Sequence, residues 1–462
     1  MHKIVIAGGG TARWMTAVAF AKTLGNTIDL TLVESDDIGT IGVGEATIPP
    51  MITFNNLMQI DEAEFMRETQ ATFKLAIAFE GWKERNHRYI HPFGQAGRDH
   101  WTCGFQHFWL NGKDRGHSED YSIYSLESSA ADNLKFGHLP DNRISYAYHL
   151  DSGRYARYLR RISEANGAKR VEGKIQDVKL KEADGHIQGL TLEDGRFIEG
   201  DFFIDCTGFR ALLIGKALGV GFDDWSHWLP NDSAIAVQTE SIYPPAPYTR
   251  SVAHEAGWQW RIPLQHRMGN GIVYCSKYME QEKALKTLLD TVEGDTLTDP
   301  NFIKFQTGAR SKHWEKNCVA VGLSSGFMEP LESTSIHLIQ RNVLRLLHML
   351  PDKKVWQSDV DEFNNQAKED MNQIKDFLIL HYVANNREGE PFWDYVRQMP
   401  IPDSLRHRID LFKQTGRIFR HNDELFAENS WVQVMMGQGI IPESYHPITT
   451  KMRDDEVSYF LK

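Results

Sequence analysis

The chain has 462 residues and a net charge of −11 at pH 7, so it is long enough for a large core and two connected domains. The acidic balance, with no stretch that concentrates Lys and Arg, argues against nucleic acid and acidic membranes as partners. The scattered cysteines and the lack of a long apolar run or signal-peptide pattern argue against a metal site, a disulfide scaffold and a membrane span, and predict a cytoplasmic protein.

The N-terminal elements predict a βαβ unit. A short apolar strand over residues 3–7 runs into the glycine turn of "AGGGTARWMTA", a helix follows over 14–24, and a second strand covers 29–34. In such units the glycines and the helix N-terminus hold a pyrophosphate, and an acid at the end of the second strand binds a ribose. The predicted cofactor-binding residues here are Gly8, Gly10, Thr11, Ala12 and Glu34. The alternative is a glycine-rich turn in an unrelated α/β protein.

Arg13 stands where the dinucleotide fingerprint has its third glycine. That glycine normally allows the helix to pack closely on the strand. A long side chain is accommodated there if it reaches solvent, which is the simpler interpretation, or if it assists the anionic pyrophosphate. The sequence does not decide between the two.

Two further strand-glycine elements lie far along the chain. One ends in Asp205-Cys206-Thr207-Gly208, and the other runs from a strand through a glycine turn into a long helix over 316–347. Widely separated elements of this kind are typical of flavoproteins whose nucleotide domain is split by insertions. From Pro351 onward the chain predicts mostly helix, broken at 398–404 and 437–444. The expected domains are therefore residues 1–350 and 351–462.

Five stretches in order resemble the flavin-dependent halogenases of the tryptophan-halogenase type. They are "GGGTARW" (8–14), "IGVGEATIP" (41–49), "FKLAIAFEGW" (73–82), "GWQWRIP" (257–263) and "EPLESTSI" (329–336). The resemblance implies an α/β fold with a flavin monooxygenase-like FAD-binding domain, a GR2-type Rossmann domain split by insertions, and a mostly helical C-terminal part that completes the substrate site.

The same resemblance implies FAD, used as FADH₂, together with a halide ion: chloride, bromide or iodide. It extends the cofactor-binding set to the loop that straps over the flavin and to a later glycine. These further residues are Gly42, Val43, Gly44, Glu45, Ala46 and Gly322.

Two residues match the catalytic pair that the family would require. Lys74 stands where the family places its essential lysine, and its apolar neighbours are expected to lower its pKa by desolvation. The alternative is an ordinary lysine whose stem packs while its head reaches water. Glu332 matches the essential glutamate at a helix start for which Ser333 and Thr334 are suitable caps. By itself it could be an acid that complements the helix dipole.

The resemblance places the halide near Thr334 and Ser335, where helix N–H groups suit an anion. The family usually has glycine at position 335, so the halide preference is not predicted. The "GWQWRIP" stretch matches the signature W-x-W-x-I-P, whose members here are Trp258, Trp260, Ile262 and Pro263. In the family this signature shields the flavin from the substrate; the alternative for alternating tryptophans on a strand is core packing.

The stretch "HPFG" makes His91 and Phe93 candidates for stacking on an aromatic substrate. In the stretch "DELFAENSWVQVMMGQG", Phe426 replaces a further tryptophan of the free-tryptophan halogenases, and their tyrosine pair is missing. Free tryptophan is therefore a doubtful substrate, and an indole, a phenol or another activated arene is expected.

The predicted activity is FADH₂- and O₂-dependent halogenation of an electron-rich arene. Hypohalous acid would pass to Lys74, which hydrogen-bonds it or forms a haloamine, and Glu332 would accept the proton that the arene loses. A separate NAD(P)H-dependent flavin reductase is implied, because one dinucleotide fingerprint is found in the sequence. A flavin-dependent aromatic monooxygenase is the nearer alternative, and a nucleotide-binding redox sensor the farther one. The sequence leaves open whether the chain forms a homo-oligomer.

Overall fold

The computed structural model describes residues 2–36, 44–139, 143–352 and 354–462. The chain divides into two compact units, each assembled from three separated segments. The first unit comprises Met1–Ala71, His149–Asp232 and Lys304–Asn372, and the second comprises Thr72–Tyr148, Ser233–Ile303 and Gln373–Lys462. The boundaries of the compact units therefore differ from the expected boundary at residue 350. The assignment of flavin and substrate roles to residues 1–350 and 351–462 stays a prediction.

A mostly parallel sheet forms the centre of the first unit. Its first strand is the apolar run that the sequence indicates, and Ile4, Val5 and Ile6 are almost completely buried. The first strand pairs in parallel with the second and with a strand some 200 residues later, so the split nucleotide-binding sheet is confirmed. Across the sheet the strand order is Trp314–Glu315, Cys318–Ala320, Phe202–Cys206, His2–Gly8, Ile28–Glu34 and Lys169–Glu172.

Helices pack on this sheet because their apolar faces repeat with helical spacing. The predicted helix after the glycine turn is confirmed and begins earlier than expected, at Thr11, since Gly10 occupies the N-cap. The helices of this unit are Thr11–Leu24, Pro50–Leu57, Glu62–Thr69, Ser152–Ala165 and Ser335–His348. Its remaining strands are Glu45–Ala46, Ile175–Leu180, Ile187–Leu192, Phe197–Glu199, Phe222–Asp224, Gly308–Arg310 and Gly326–Phe327.

Asp205 shapes the turn that follows the central strand Phe202–Cys206. Its buried carboxylate accepts hydrogen bonds from the backbone N–H groups of Thr207, Leu213 and Ile214 at 2.8–2.9 Å. The carboxylate therefore caps the short helical segment Leu212–Ala217 by accepting hydrogen bonds from its first N–H groups.

The second unit is built on a larger sheet, mostly antiparallel, in which the strand Tyr248–His254 pairs in parallel with Ala76–Glu80. The strand order is Asn301–Lys304, Ser233–Thr239, Met268–Tyr274, Gly257–Pro263, Tyr248–His254, Ala76–Glu80 and Arg88–Pro92. The short strand Thr72–Lys74 comes immediately before the strand Ala76–Glu80 in the chain.

Helices supply most of the remainder of the second unit, and the predicted helical C-terminal region is confirmed. They are Phe105–Asp114, Leu126–Asp132, Gln281–Thr291, Pro391–Gln398, Asp403–Thr415, Glu428–Gly437 and Asp454–Phe460. The breaks expected near 398–404 and after 437 are present. Three elements cross a unit boundary: Ala147–Leu150, Asn301–Lys304 and the long helix Gln357–Val383. Of the helices described, none combines the length and the apolar character needed to cross a membrane.

Candidate functional site

The glycine turn after the first strand has the geometry of an anion cradle. Gly8 has a φ of +118°, and a Cβ on it would lie 2.2 Å from the carbonyl oxygen of Cys206, so the close approach of two strands requires glycine there. Gly10 has a φ of +82° and open space where a Cβ would be. The helix that begins at Thr11 has no capping side chain and no acid in its first turn. Its N–H groups therefore suit a diphosphate.

Arg13 does not reach solvent, which corrects the simpler of the two expectations. The side chain is 4% exposed, and its Nη1 donates a hydrogen bond of 2.8 Å to the carbonyl oxygen of Gly8. The guanidinium also forms an ion pair with Glu34. The missing third glycine is therefore replaced by a buried cation that is paired inside the protein. Burial lowers the pKa of Arg13 to about 10, so the group stays charged at neutral pH.

Glu34, the predicted ribose acid, lies at the end of the second strand and is buried. Besides Arg13 it contacts Arg170, whose guanidinium also pairs with Asp36 and Glu172. The acid is thus held between two arginines. Sequence reasoning found the acid through its spacing from the glycine turn but missed both of these pairings.

The loop and the later glycine of the predicted flavin set lie in the same unit. A Cβ on Gly322, whose φ is +73°, would lie 2.7 Å from the Cβ of Ala12, so the third strand-glycine element meets the start of the first helix. Glu45 pairs with Leu150 in a short antiparallel ladder, and burial raises the pKa of its carboxyl to about 7. Gly44 has a φ of +98° and Ala46 is buried. Gly42 and Val43 lie outside the described residues.

Two carboxylates are completely buried in the "EPLESTSI" stretch. Glu332 ends a single 3₁₀ turn that begins at Pro330, and Glu329 immediately precedes that turn. Asn231 donates a hydrogen bond of 2.9 Å to Glu329. The sequence analysis singled out Glu332 and missed Glu329, although the spacing of two acids around a proline was a visible signal. Ser333 takes a left-handed φ of +59°, a conformation that costs energy for a residue with a Cβ.

The predicted halide residues stand at the start of the long helix that begins at Ser335. Thr334 occupies the N-cap and is 1% exposed, but its side chain makes no capping hydrogen bond. The expected side-chain cap by Thr334 is therefore wrong. No acid lies in the first turn of the helix itself. An N-terminus of this kind offers backbone N–H groups to an anion.

Lys74 lies in the second unit and is completely buried, which contradicts the alternative of a lysine whose head reaches water. Its Nζ lies 5.1 Å from the centre of the Phe93 ring. The backbone N–H of Phe93 donates to the carbonyl oxygen of Leu75 at 2.9 Å, which joins the two segments beside the lysine. Phe73, the residue before Lys74, stacks on Phe136 with ring centres 3.8 Å apart.

Two of the three predicted substrate residues lie in one aromatic cluster. His91 and Phe426 both face Phe377, with ring centres 5.7 and 3.8 Å away, and the Phe426 and Phe377 rings are stacked. Trp431 closes the cluster at 4.8 Å from Phe377. Phe93 lies instead beside Lys74. Sequence reasoning missed Phe377 because it lies in a long helix far from the other segments.

The loop that carries Phe93 is fixed by amide side chains of a C-terminal helix. Asn429 donates to the carbonyl oxygen of Gly94 at 2.8 Å and accepts from the N–H of Ala96 at 3.1 Å. Gln433 donates to the same carbonyl at 3.1 Å. A Cβ on Gly94 would overlap the buried carboxylate of Glu127, so a larger residue there would require that carboxylate to move.

Trp258 and Trp260 lie on one strand with ring centres 6.2 Å apart, as the alternation predicts. Trp258 is 1% exposed and lies 6.3 Å from the ring of Trp82. Trp260 covers Gly271 on the neighbouring strand, where a Cβ would lie 2.0 Å from its ring. Ile262 and Pro263 complete the buried strand. Both indoles thus have core contacts, and their shielding role stays a prediction.

The predicted residues therefore fall into two groups, and each is assembled within one unit. Apart from Gly42 and Val43, which the structure does not describe, the cofactor and halide candidates and Glu332 belong to the first unit, whereas the second contains Lys74, the tryptophan strand and the substrate candidates.

The model of a protein family described as tryptophan halogenase matches residues 3–454. Among characterised relatives, tryptophan 6-halogenase SttH of Streptomyces toxytricini is 36% identical, and the match covers 95% of this chain and 90% of the relative.

Solved structures give the same result. Xcc4156, a flavin-dependent halogenase from Xanthomonas campestris, is 56% identical with a TM-score of 0.98 and covers 100% of this chain and 93% of its own. BrvH, a flavin-dependent halogenase from Brevundimonas sp. BAL3, is 43% identical with a TM-score of 0.96, at coverages of 100% and 94%.

Proposed function

The chain belongs to the tryptophan halogenase family and is a flavin-dependent halogenase, and on this premise we propose that it halogenates an indole- or phenol-type arene with Lys74 and Glu332 as catalytic residues. The observation that carries this proposal is the complete burial of the Lys74 side chain beside the Phe93 ring. A buried ammonium can hold a small polar oxidant by hydrogen bonds next to an aromatic face.

The glycine turn, the acid and the helix start of the first unit fit FAD, because they offer backbone donors to a diphosphate and a carboxylate to a ribose. When bound, reduced FAD would supply the chemistry that forms hypohalous acid from O₂ and halide. The residues that would hold the flavin are Gly8, Gly10, Thr11, Ala12, Glu34, Gly42, Val43, Gly44, Glu45, Ala46 and Gly322.

Lys74 donates a hydrogen bond from Nζ to the oxygen of hypohalous acid. As the arene carbon bonds to the halogen, the oxygen–halogen bond breaks, and the departing oxygen takes a proton from Nζ to leave as water. The Glu332 carboxylate stabilises the cationic ring and accepts the proton that the ring carbon loses. The arene and hypohalous acid thus become the aryl halide and water, and both side chains return to their starting states by proton exchange.

The halide is held by the backbone N–H groups of Thr334 and Ser335 at the helix start, where partial positive charge is concentrated. Trp258, Trp260, Ile262 and Pro263 keep the arene away from the flavin, which separates halogenation from hydroxylation. The burial of both indoles supports this role, because a rigid wall excludes substrate better than a mobile one.

His91, Phe93 and Phe426 stack on the ring of the substrate. A free amino acid would also need a carboxylate for its ammonium group. Two acids lie two residues from Phe426, and the buried one, Glu424, is 1% exposed and accepts hydrogen bonds from Arg408 at 3.0 Å and from the Trp431 indole at 3.2 Å. This carboxylate is already engaged within the protein, which supports an arene without an amino-acid head group.

A separate NAD(P)H-dependent reductase supplies the reduced flavin. We further propose that residues 1–350 provide the flavin-binding part and that residues 351–462 complete the substrate site. A cytoplasmic location stays a prediction from the cysteine pattern.

The test incubates the purified chain with FAD, a flavin reductase, NADH, O₂, and chloride or bromide, and analyses indole, phenol and free tryptophan by mass spectrometry. We expect halogen isotope patterns on indole or phenol and at least roughly 10-fold less product from free tryptophan. A product that gains oxygen without halogen contradicts the reaction, and preferred conversion of free tryptophan contradicts the substrate class.

A further inference from the structure

Arg13 connects the two parts of the predicted nucleotide site. Its Nη1 donates to the carbonyl oxygen of Gly8 in the glycine turn, and the same guanidinium pairs with Glu34 at the end of the next strand. One side chain therefore links the residues expected to hold the diphosphate and the ribose. A glycine at position 13 has no side chain and could not connect these two parts.

Arg13 is one of two arginines that pair with Glu34. The second arginine at the acid, Arg170, divides its charge among Glu34, Asp36 and Glu172. Three carboxylates and one guanidinium leave a local excess of negative charge. Arg13 offsets that excess on the side of the glycine turn, where a diphosphate would otherwise be repelled.

The position of the guanidinium is fixed from a third direction. Its central carbon lies 4.8 Å from the centre of the Trp14 ring, and Arg160 approaches the same ring at 5.9 Å. A hydrogen bond, an ion pair and an aromatic face together restrict Arg13 to one orientation. Such a group contributes to binding without a large loss of side-chain entropy.

We infer that Arg13 is a positioning residue that makes the site specific for the dinucleotide form of the flavin. It orients and neutralises Glu34 so that the acid can bind a ribose without repelling the adjacent diphosphate. FMN has no adenosine ribose for Glu34 to bind, so Arg13 contributes more to binding FAD than to binding FMN. This inference rests on the proposed flavin site.

The test compares Arg13→Met with the matched control Arg160→Met, which removes the same charge from the same indole but does not contact Glu34. Binding of oxidised FAD and of FMN is measured by titration calorimetry, and folding by thermal unfolding. We expect Arg13→Met to weaken FAD binding at least roughly 10-fold and FMN binding by a clearly smaller factor. Arg160→Met should change both by less than about 2-fold.

A double-mutant cycle with Glu34→Gln keeps the inference falsifiable if Arg13→Met is less stable. If Arg13 acts through Glu34, the two substitutions are non-additive for FAD affinity, and Arg13→Lys restores part of it. Additive effects, or equal losses for FAD and FMN, overturn the inference. Unchanged FAD binding in Arg13→Met overturns it alone, whereas a wild-type chain that binds no FAD overturns the proposed flavin site as well.

Discussion

The two groups of candidate residues differ in the interactions that surround them. The glycine turn of the first unit depends on backbone geometry, and the charges around it are paired: Arg13 with Glu34, and Glu34 with Arg170. Lys74 in the second unit is completely buried, and its Nζ lies 5.1 Å from the centre of the Phe93 ring.

This difference indicates how each region tolerates change. A paired charge network can absorb a substitution, as it absorbs an arginine in place of a glycine, because a new charge finds a counter-charge. The Lys74 ammonium is proposed to act through its own position beside the Phe93 ring, so a side chain without that group cannot replace it. The following predictions test this contrast.

The largest effect is expected for Lys74→Met, which keeps the length of the buried side chain and removes its charge. Halogenation should fall by roughly 10³-fold or more, because the group that holds the oxidant is lost. FAD affinity should change less than about 2-fold, since the glycine turn belongs to the other group of residues. Product formation and FAD titration check this. Retained halogenation would show that the lysine only fills space.

Gly8→Ala tests the backbone side of the contrast. The added Cβ would meet the Cys206 carbonyl at 2.2 Å in a backbone with φ of +118°. We expect a loss of about 4 kcal/mol in unfolding free energy, from overpacking and backbone strain, together with loss of FAD binding. Gly195→Ala is the control, since its φ is +86° but its Cβ has open space, and it should cost about 1 kcal/mol. Similar costs in urea unfolding would contradict the close-approach argument.

Phe426→Ala tests the aromatic side. Removing a ring that stacks on Phe377 at 3.8 Å should destabilise the protein by about 3 kcal/mol and raise KM for the arene. Phe419→Ala, at a residue 55% exposed, should cost less than about 0.5 kcal/mol and leave KM unchanged. Thermal unfolding and steady-state kinetics separate the two effects. An unaltered KM would mean that Phe426 serves packing alone.

A smaller effect concerns His107 of the second unit. Its side chain is buried, with 2% exposure, and its Nδ1 accepts a hydrogen bond from the backbone N–H of His446 at 3.1 Å. Burial lowers its pKa to about 4, with smaller contributions from His446 and Arg417. Between pH 6.5 and 4 the unfolded chain binds a proton here that the folded chain does not. Stability therefore falls as the pH falls through this window.

For this histidine alone the loss between pH 7 and 5 should be about 2 kcal/mol. His107→Gln keeps a hydrogen-bond acceptor and should remove that part of the pH dependence in urea unfolding. His407→Gln, on an exposed helix position, is the control. Equal slopes for wild type and His107→Gln would refute the assignment.

The local elements could be predicted from the sequence with good accuracy. The first strand, the helix after the turn and the second strand follow from apolar spacing and glycines, and the structure confirms them. The compact units could not be predicted, because they depend on pairings such as Gly8 with Cys206, nearly 200 residues apart. No local pattern encodes which distant strands become neighbours.

The candidate residues show the same limit. The importance of Lys74 and Glu332 came from resemblance, and their complete burial came from the structure. The sequence left the environment of Arg13 open between solvent and the pyrophosphate, because its contact with Glu34 depends on the packing of a helix against the following strand. The position of a side chain relative to such a partner is a tertiary property that spacing alone does not determine.

The stacked pair Phe377 and Phe426 has a consequence for the evolution of new substrate ranges. The two rings lie in direct contact, one on the long helix Gln357–Val383 and the other in the segment before the helix Glu428–Gly437. Enlarging one ring or removing the other is harmful by itself, whereas a compensating exchange preserves the volume. Given the substrate role proposed for Phe426, we expect libraries that vary one codon at a time to miss variants that admit bulkier arenes, and paired saturation of both positions to recover them.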